Sequence, residues 1–167
     1  MLTNSSPDAH HKTLALIGAN GMLASAVKYV AGSAWTIVSL DLPVFDLTDR
    51  ELVLRILAET DTDVIVNCAG YTDVDGSESN EKLATLVNGT GPGYLADAAK
   101  KLGATLVHIS TDYVFDGSQQ VPYIETDVPD PISAYGRSKL AGEVAVAESG
   151  LESSLIIRTS WLYGPGG

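Results

Sequence analysis

The chain has 167 residues, 45% hydrophobic and 19% charged, which excludes a disordered polypeptide and leaves room for one domain with a real core. Ten basic against twenty-one acidic residues give a formal charge of −11, which disfavours nucleic-acid backbones as partners. No run of 18 or more apolar residues occurs, so no membrane partner is expected. The single cysteine, Cys68, cannot close an internal disulfide, and residues 1–12 lack an apolar signal core. Both features point to a reducing, cytoplasmic compartment. Residues 1–12 read as a frayed tail, and His10 and His11 within it as tail residues rather than ligands.

In chain order, Leu14–Ile17 is a short apolar run ending at a glycine, the pattern of a buried strand. Gly18-Ala-Asn-Gly21-Met-Leu-Ala24 follows. Met22, Leu23, Ala26, Val27 and Val30 then recur at helical spacing, and Gly32 marks the helix end. Trp35–Leu40 is a second strand with Asp41 at its carboxyl end. After an irregular stretch, Leu42–Leu47, Thr48 is placed to cap a helix reaching about Thr60. Asp63–Asn67 is a third strand, and Glu78–Leu102 is mostly helical with a kink or a short break expected at Gly91-Pro-Gly93. Thr105–Ser110 is a strand, Thr111–Ile132 a long loop, Ser133–Ser149 a helix and Ser154–Thr159 a last strand. Alternating strands and helices, with continuous apolar strands, predict one doubly wound α/β domain over residues 13–167, its parallel sheet covered on both faces. Ligands of such a sheet lie at the carboxyl ends of its strands.

The glycine turn between a strand and a helix allows a pyrophosphate to approach the backbone, and the helix N-terminus adds free N–H groups and partial positive charge. Asp41, 23 residues after Gly18, is placed to accept hydrogen bonds from a ribose. The alternative is a structural turn with a solvated aspartate. Leu42 and Pro43 offer no base for a 2′-phosphate, which favours NAD(H), with NADP(H) as the alternative. Asp46 either approaches the adenine or serves as a loop or cap residue. Asn67-Cys-Ala-Gly70 brings small residues to a strand end, with Cys68 read as a packing residue rather than a nucleophile. Asp73, Asp75 and Glu78 read as a solvated loop and helix start rather than a metal site.

Tyr135 and Lys139 lie four residues apart in the Ser133–Ser149 helix, on one face. An ammonium beside a phenol lowers the phenol's pKa toward the range useful for proton transfer to a carbonyl. Thr111, 24 residues before Tyr135, is placed to hydrogen-bond a ketone oxygen as it gains charge. Tyr113, Val114 and Phe115 offer either a ligand surface or loop packing.

The glycine turn, Asn-Cys-Ala-Gly70, Ser110-Thr-Asp-Tyr-Val-Phe-Asp-Gly117, Tyr135-Gly-Arg-Ser-Lys-Leu-Ala-Gly-Glu143 and Arg158-Thr-Ser-Trp-Leu-Tyr-Gly164 occur in one order. Together, from about Thr13 to the end, they resemble the extended short-chain dehydrogenase/reductases, and within them the dTDP-4-dehydrorhamnose reductase family. The resemblance implies reduction of the C4 ketone of a nucleotide sugar, with Tyr135 as proton donor, Lys139 holding the nicotinamide ribose, and Thr111 completing the triad. Against the dinucleotide it implies Gly18, Asn20, Gly21, Met22, Leu23, Asp41, Leu42, Asp46, Leu47, Cys68, Ala69, Gly70, Tyr71, Asn88 and Ser110, besides Tyr135 and Lys139. Against the sugar nucleotide it implies Thr111, Asp112, Val114, Phe115, Tyr135 and Trp161. Asn88 would help hold the active site together, and a homodimer is compatible with the reading.

Two departures stand out: Ala24 replaces the third glycine, and Asp75-Gly-Ser-Glu78 lacks the lysine common in that block. Family members continue with a smaller carboxyl-terminal domain, so a chain ending at Gly167 is expected to turn over slowly or not at all alone. Three alternatives remain open: another nucleotide-sugar reductase or epimerase, a non-catalytic subunit resembling the regulatory subunit of methionine adenosyltransferase, or a domain that binds dinucleotide only.

Overall fold

The structure is a computed structural model that describes residues 12–166. The tail read over residues 1–12, with His10 and His11, lies outside them except for Lys12. Five strands, β1 (Thr13–Ile17), β2 (Thr36–Leu40), β3 (Val64–Asn67), β4 (Thr105–Thr111) and β5 (Ser154–Thr159), form one parallel sheet in the order β2-β1-β3-β4-β5. Parallel neighbours cannot be joined by hairpins, so helices make the crossovers. These are α1 (Met22–Ala31), α2 (Arg50–Ala58), α3 (Val74–Ser79), α4 (Glu81–Thr85), α5 (Gly91–Leu102) and α6 (Ala134–Glu148).

The pleat sorts β1 into two layers. Ala15 and Ile17 pack with Val53 and Leu57 of α2, Leu95 and Ala99 of α5, and Val146 of α6. Leu14 and Leu16 face the other way, onto Ala24 and Val27 of α1. Cover on both faces therefore holds for β1 and β3. It fails for β5, where Ile156 packs inward but Leu155 and Ile157 stay 57% and 42% exposed. The chain leaves β1 for β2 and then crosses back to β3. That reversal opens a crevice between the carboxyl ends of β1 and β3, the place where doubly wound sheets bind ligands.

Three expectations need correction. Asp49, not Thr48, caps α2, its Oδ1 accepting from Leu52 N at 3.0 Å. Thr48 instead donates its N–H and its hydroxyl to Asp46 Oδ1, at 2.8 and 2.7 Å. The helical stretch expected from Glu78 begins at Val74, capped by Asp73, and breaks at Asn80. The irregularity expected at Gly91-Pro-Gly93 lies just before it, as a π-helical turn, Leu86–Thr90, with Pro92 in the first turn of α5. Proline there has no N–H for the Asn88 carbonyl four residues back. That carbonyl faces α6, which approaches so closely that a Cβ on Gly142 would collide with it.

Candidate active site

A crevice of about 840 Å³ lies over the strand ends. Its floor is the turn after β1. Gly18 has φ +71°, and a Cβ there would sit 2.6 Å from Ala69 N, so only glycine fits this approach. The turn is closed by hydrogen bonds from Gly18 N to Leu40 O (2.9 Å) and from Gly21 N to Gly18 O (3.0 Å). Lys28 Nζ donates to Ala19 O at 2.7 Å and braces it from α1. No side chain caps the N-terminus of α1, which leaves its first amides available to an anion. Asp41 leaves β2 with Oδ2 accepting from Asn20 N and Oδ1 from Leu42 N, both at 2.8 Å. A backbone cradle that excludes a Cβ, an uncapped helix start and a fixed carboxylate together fit the pyrophosphate and ribose of a dinucleotide.

The opposite wall is α6, whose buried positions include three polar side chains, Ser138, Lys139 and Glu143, beside Gly136, Gly142, Ala134 and Val146. Ser133 caps the helix through Gly136 N at 3.0 Å, and Glu78 Oε1 takes the Ala134 N–H at 2.7 Å. A Cβ on Gly136 would strike the Tyr113 carbonyl, so the first turn of α6 lies directly on the loop after β4. That contact sets Tyr113 edge-on to Tyr135, ring centroids 5.6 Å apart at 78°. Lys139 is buried, and its Nζ donates to Ile109 O at 2.6 Å.

The expectation that Lys139 lowers the phenol's pKa is not met. Burial pushes Tyr135 above its ordinary value, and hydrogen bonding with Thr111 pulls the other way. The cation's field reaches other groups. Lys139 itself is brought down to about 8 by burial, against the pull of Glu143 and Cys68. Burial raises the Cys68 thiol to about 11, with Lys139 opposing, which leaves it protonated and unreactive near neutrality. Burial and Lys139 together hold His108 down to about 3, so it is neutral. Thr111 Oγ1 donates to Asp112 Oδ1 at 3.1 Å and accepts from Tyr113 N at 3.2 Å.

Buried polar side chains fix these walls. Asn88 takes the Tyr71 N–H on Oδ1 (2.8 Å) and donates to Tyr71 O and Ser138 Oγ, both at 3.0 Å. It thus joins the loop after β3 to α6. Asn67 Oδ1 accepts from Ala69 N, so its amide nitrogen faces His108 Nδ1 at 3.1 Å as donor. His108 then carries its proton on Nε2, which has no partner among the described residues. Glu143 accepts from Ser110 Oγ at 2.5 Å and forms a two-pronged pair with Arg158, shortest contact 2.7 Å.

Of the expected dinucleotide residues, Gly18, Gly21, Met22, Leu23, Asp41, Leu42, Asp46, Leu47, Cys68, Ala69, Gly70, Ser110, Tyr135 and Lys139 line the crevice. Asn20, Tyr71 and Asn88 are not among the lining residues: Asn20 is exposed, with its N–H on Asp41, and Tyr71 and Asn88 are tied to each other as above. Thr111, Asp112, Tyr135 and Trp161 also line it. Val114 and Phe115 do not. Val114 is wholly buried, and Phe115 lies under the Arg158 guanidinium (4.9 Å) and stacked on Tyr123 (4.2 Å). The loop-packing alternative describes these two. Asp73 is spent as a cap and Glu78 on Ala134 N. Sequence reasoning missed His108, Glu143 and Arg158. The spacing Tyr135, Lys139, Glu143 carried a signal for one of them, since each step is four residues on one helix face.

Residues 12–167 match the family model described as the RmlD substrate binding domain. The chain is 47% identical over 150 residues to a dTDP-4-dehydrorhamnose reductase of Sinorhizobium fredii, covering 90% of this chain and 50% of that one. It is 43% identical over 148 residues to a dTDP-4-keto-6-deoxy-D-glucose reductase of Streptomyces niveus, covering 88% and 51%. The crystal structure of dTDP-4-dehydrorhamnose reductase from Bacillus anthracis in complex with NADP superposes with a TM-score of 0.90 at 38% identity, covering 93% of this chain and 56% of that one. The chain thus spans about half the length of the curated relatives it matches. Crevice, helix and match agree: the chain belongs to the RmlD substrate-binding domain family.

Proposed function

We propose that this chain forms the dinucleotide-binding and proton-donating part of a reductase acting on the C4 ketone of a dTDP-4-dehydro-6-deoxysugar, with dTDP-4-dehydro-L-rhamnose as the leading substrate. The observation that carries the reading is the meeting of Thr111, Tyr135 and Lys139 across one crevice from the glycine turn. When bound, a reduced nicotinamide supplies the hydride. The chain's own work is to hold reactants and move a proton. The glycine turn and α1 hold the pyrophosphate, and Asp41 holds the adenosine ribose.

Tyr135 gives its phenolic proton to the sugar oxygen as that oxygen becomes an alkoxide. The raised pKa of Tyr135 keeps that proton in place until the alkoxide forms. Thr111 turns its hydroxyl from Asp112 toward the same oxygen. Lys139, charged below pH about 8, holds the ribose next to the reacting carbon, and the Thr111 hydroxyl is the group that favours the phenolate left behind. Trp161, 89% exposed at the crevice mouth, faces the sugar nucleotide.

Asp41 lies where a 2′-phosphate would bring like charge, which favours NADH; the NADP of the Bacillus anthracis relative keeps NADPH as the second candidate. The Streptomyces niveus relative likewise supports the 4-keto-6-deoxyglucose nucleotide as a second substrate. The test is fluorescence titration with NADH and NADPH, followed by steady-state reduction of both sugar nucleotides. Because the chain alone is expected to turn over slowly or not at all, turnover is measured with the chain joined to the remaining half of a curated relative, wild type against Tyr135→Phe. Dinucleotide binding with no turnover of either sugar there, or turnover untouched by Tyr135→Phe, would remove the reductase assignment.

A further inference from the structure

Tyr135, Lys139 and Glu143 form a single stripe along α6, one turn apart, and the last two are among the most buried charged groups of the described residues. Glu143 is 6% exposed yet fully satisfied. Ser110, the residue before Thr111, donates to it at 2.5 Å, and Arg158 of β5 grips both its oxygens. Arg158 is held in turn over the Phe115 ring at 4.9 Å, and Phe115 stacks on Tyr123. A buried carboxylate fixed by strand, neighbouring strand and loop cannot swing away, so it is held in place and direction.

We propose that Glu143 is a positioning residue for Lys139, a clamped countercharge that keeps the buried ammonium protonated and seated beneath the dinucleotide crevice. The charged and titratable groups facing Lys139 leave few alternatives. Cys68, at the end of β3, is a neutral thiol near neutrality, and His108 of β4 is a neutral imidazole. Tyr135 of α6 holds its proton. Glu143 follows Lys139 by one turn on the same buried face of α6 and opposes the desolvation that draws the lysine down, while Arg158 of β5, paired with Glu143, brings the opposing positive charge to the cluster. Carbonyl dipoles help through Ile109 O, but they carry no net charge. The inference rests on Lys139 holding the dinucleotide, and the experiment keeps the two apart.

The full chain is labelled with 13Cε-lysine, and the Lys139 signal, assigned by its loss in Lys139→Met, is titrated from pH 6 to 11 without nucleotide. Glu143→Gln should move the Lys139 midpoint to lower pH by a unit or more. Glu143→Asp, which keeps the charge, should restore at least half of that shift. Ser110→Ala, which loosens the clamp but keeps the carboxylate, should give a smaller displacement in the same direction. NADH affinity is measured over pH 6–9.5 in parallel. The wild-type fall in affinity above pH about 8 should move with the NMR midpoint, while affinity at pH 6 stays within about threefold. An unmoved Lys139 midpoint in folded Glu143→Gln or Ser110→Ala overturns the proposal, as does equal loss of NADH affinity at every pH. A shifted midpoint in a chain that binds no NADH supports the coupling and refutes the dinucleotide role of Lys139 instead.

Discussion

Replacing Lys139 by methionine should make the nucleotide-free protein more stable while it loses the dinucleotide. The lysine titrates at about 8 instead of 10.5, and burial is the largest cause. At ~1.4 kcal/mol per pH unit, holding the charged form in the fold costs roughly 3 kcal/mol at neutral pH. Methionine keeps most of the aliphatic stem and removes the charge. It also strips the Ile109 carbonyl of its ammonium partner, a loss of about 1 kcal/mol. The net expectation is a gain of about 2 kcal/mol at pH 7, seen as a higher urea midpoint at unchanged m-value. In a chain of this size that corresponds to a rise of about 4–8 °C in Tm.

The pH dependence fixes the cause. A lysine with a depressed folded pKa contributes stability above its unfolded pKa and loses it as pH falls through the folded value. Wild type should therefore close the gap to the variant as pH rises from about 8 to 10.5. Urea melts of both proteins at pH 7, 8.5 and 10 read this directly. A variant less stable than wild type at pH 7, or a difference that ignores pH, would refute the reasoning.

Gly18→Ala must set a Cβ 2.6 Å from Ala69 N at φ +71°, and should cost about 1–3 kcal/mol in urea melts and at least tenfold in NADH affinity. Gly136→Ala sets a Cβ against the Tyr113 carbonyl and Pro131, and should cost at least about 1–3 kcal/mol in urea melts while displacing Tyr113 and, with it, Tyr135; in the folded variant, turnover falling further than NADH affinity checks this. Asp41→Ala should narrow the NADH-over-NADPH preference by roughly tenfold, measured as a ratio of dissociation constants, while weakening both through loss of the Asn20 contact. Trp161, one of two tryptophans, should dominate the emission change on adding the sugar nucleotide, and Trp161→Phe should abolish most of it.

The sheet and its crevice were legible because their signals are local. Apolar runs ending at Gly18, Asp41 and Asn67 mark strand ends, and a glycine between strand and helix needs no tertiary knowledge to interpret. The Tyr135–Lys139 spacing was legible for the same reason, since a helix converts it directly into a shared face. What the pair does electrostatically was not. It depends on Lys139 turning to Ile109 O and on the burial of Tyr135, both properties of packing. Val114 and Phe115 were misplaced because an apolar side chain after a strand looks the same whether it lines a crevice or lies under a guanidinium contributed 43 residues later by Arg158. The break expected at Pro92 moved upstream because proline is well tolerated in a first helical turn, and the widened turn before it absorbs the irregularity.

That widened turn acts as a one-residue insertion held inside an otherwise ordinary helical run. The surplus residue lets Asn88 point at the Tyr71 peptide while Leu95, Ala96 and Ala99 downstream keep their place in the core. Trimming a single position between Leu86 and Thr90 would let α4 and α5 fuse into one continuous rod. The chain would still have a helix to fold around. The tie between the third strand's loop and α6 would be gone, so foldability and nucleotide affinity should part company under deletion scanning at this spot.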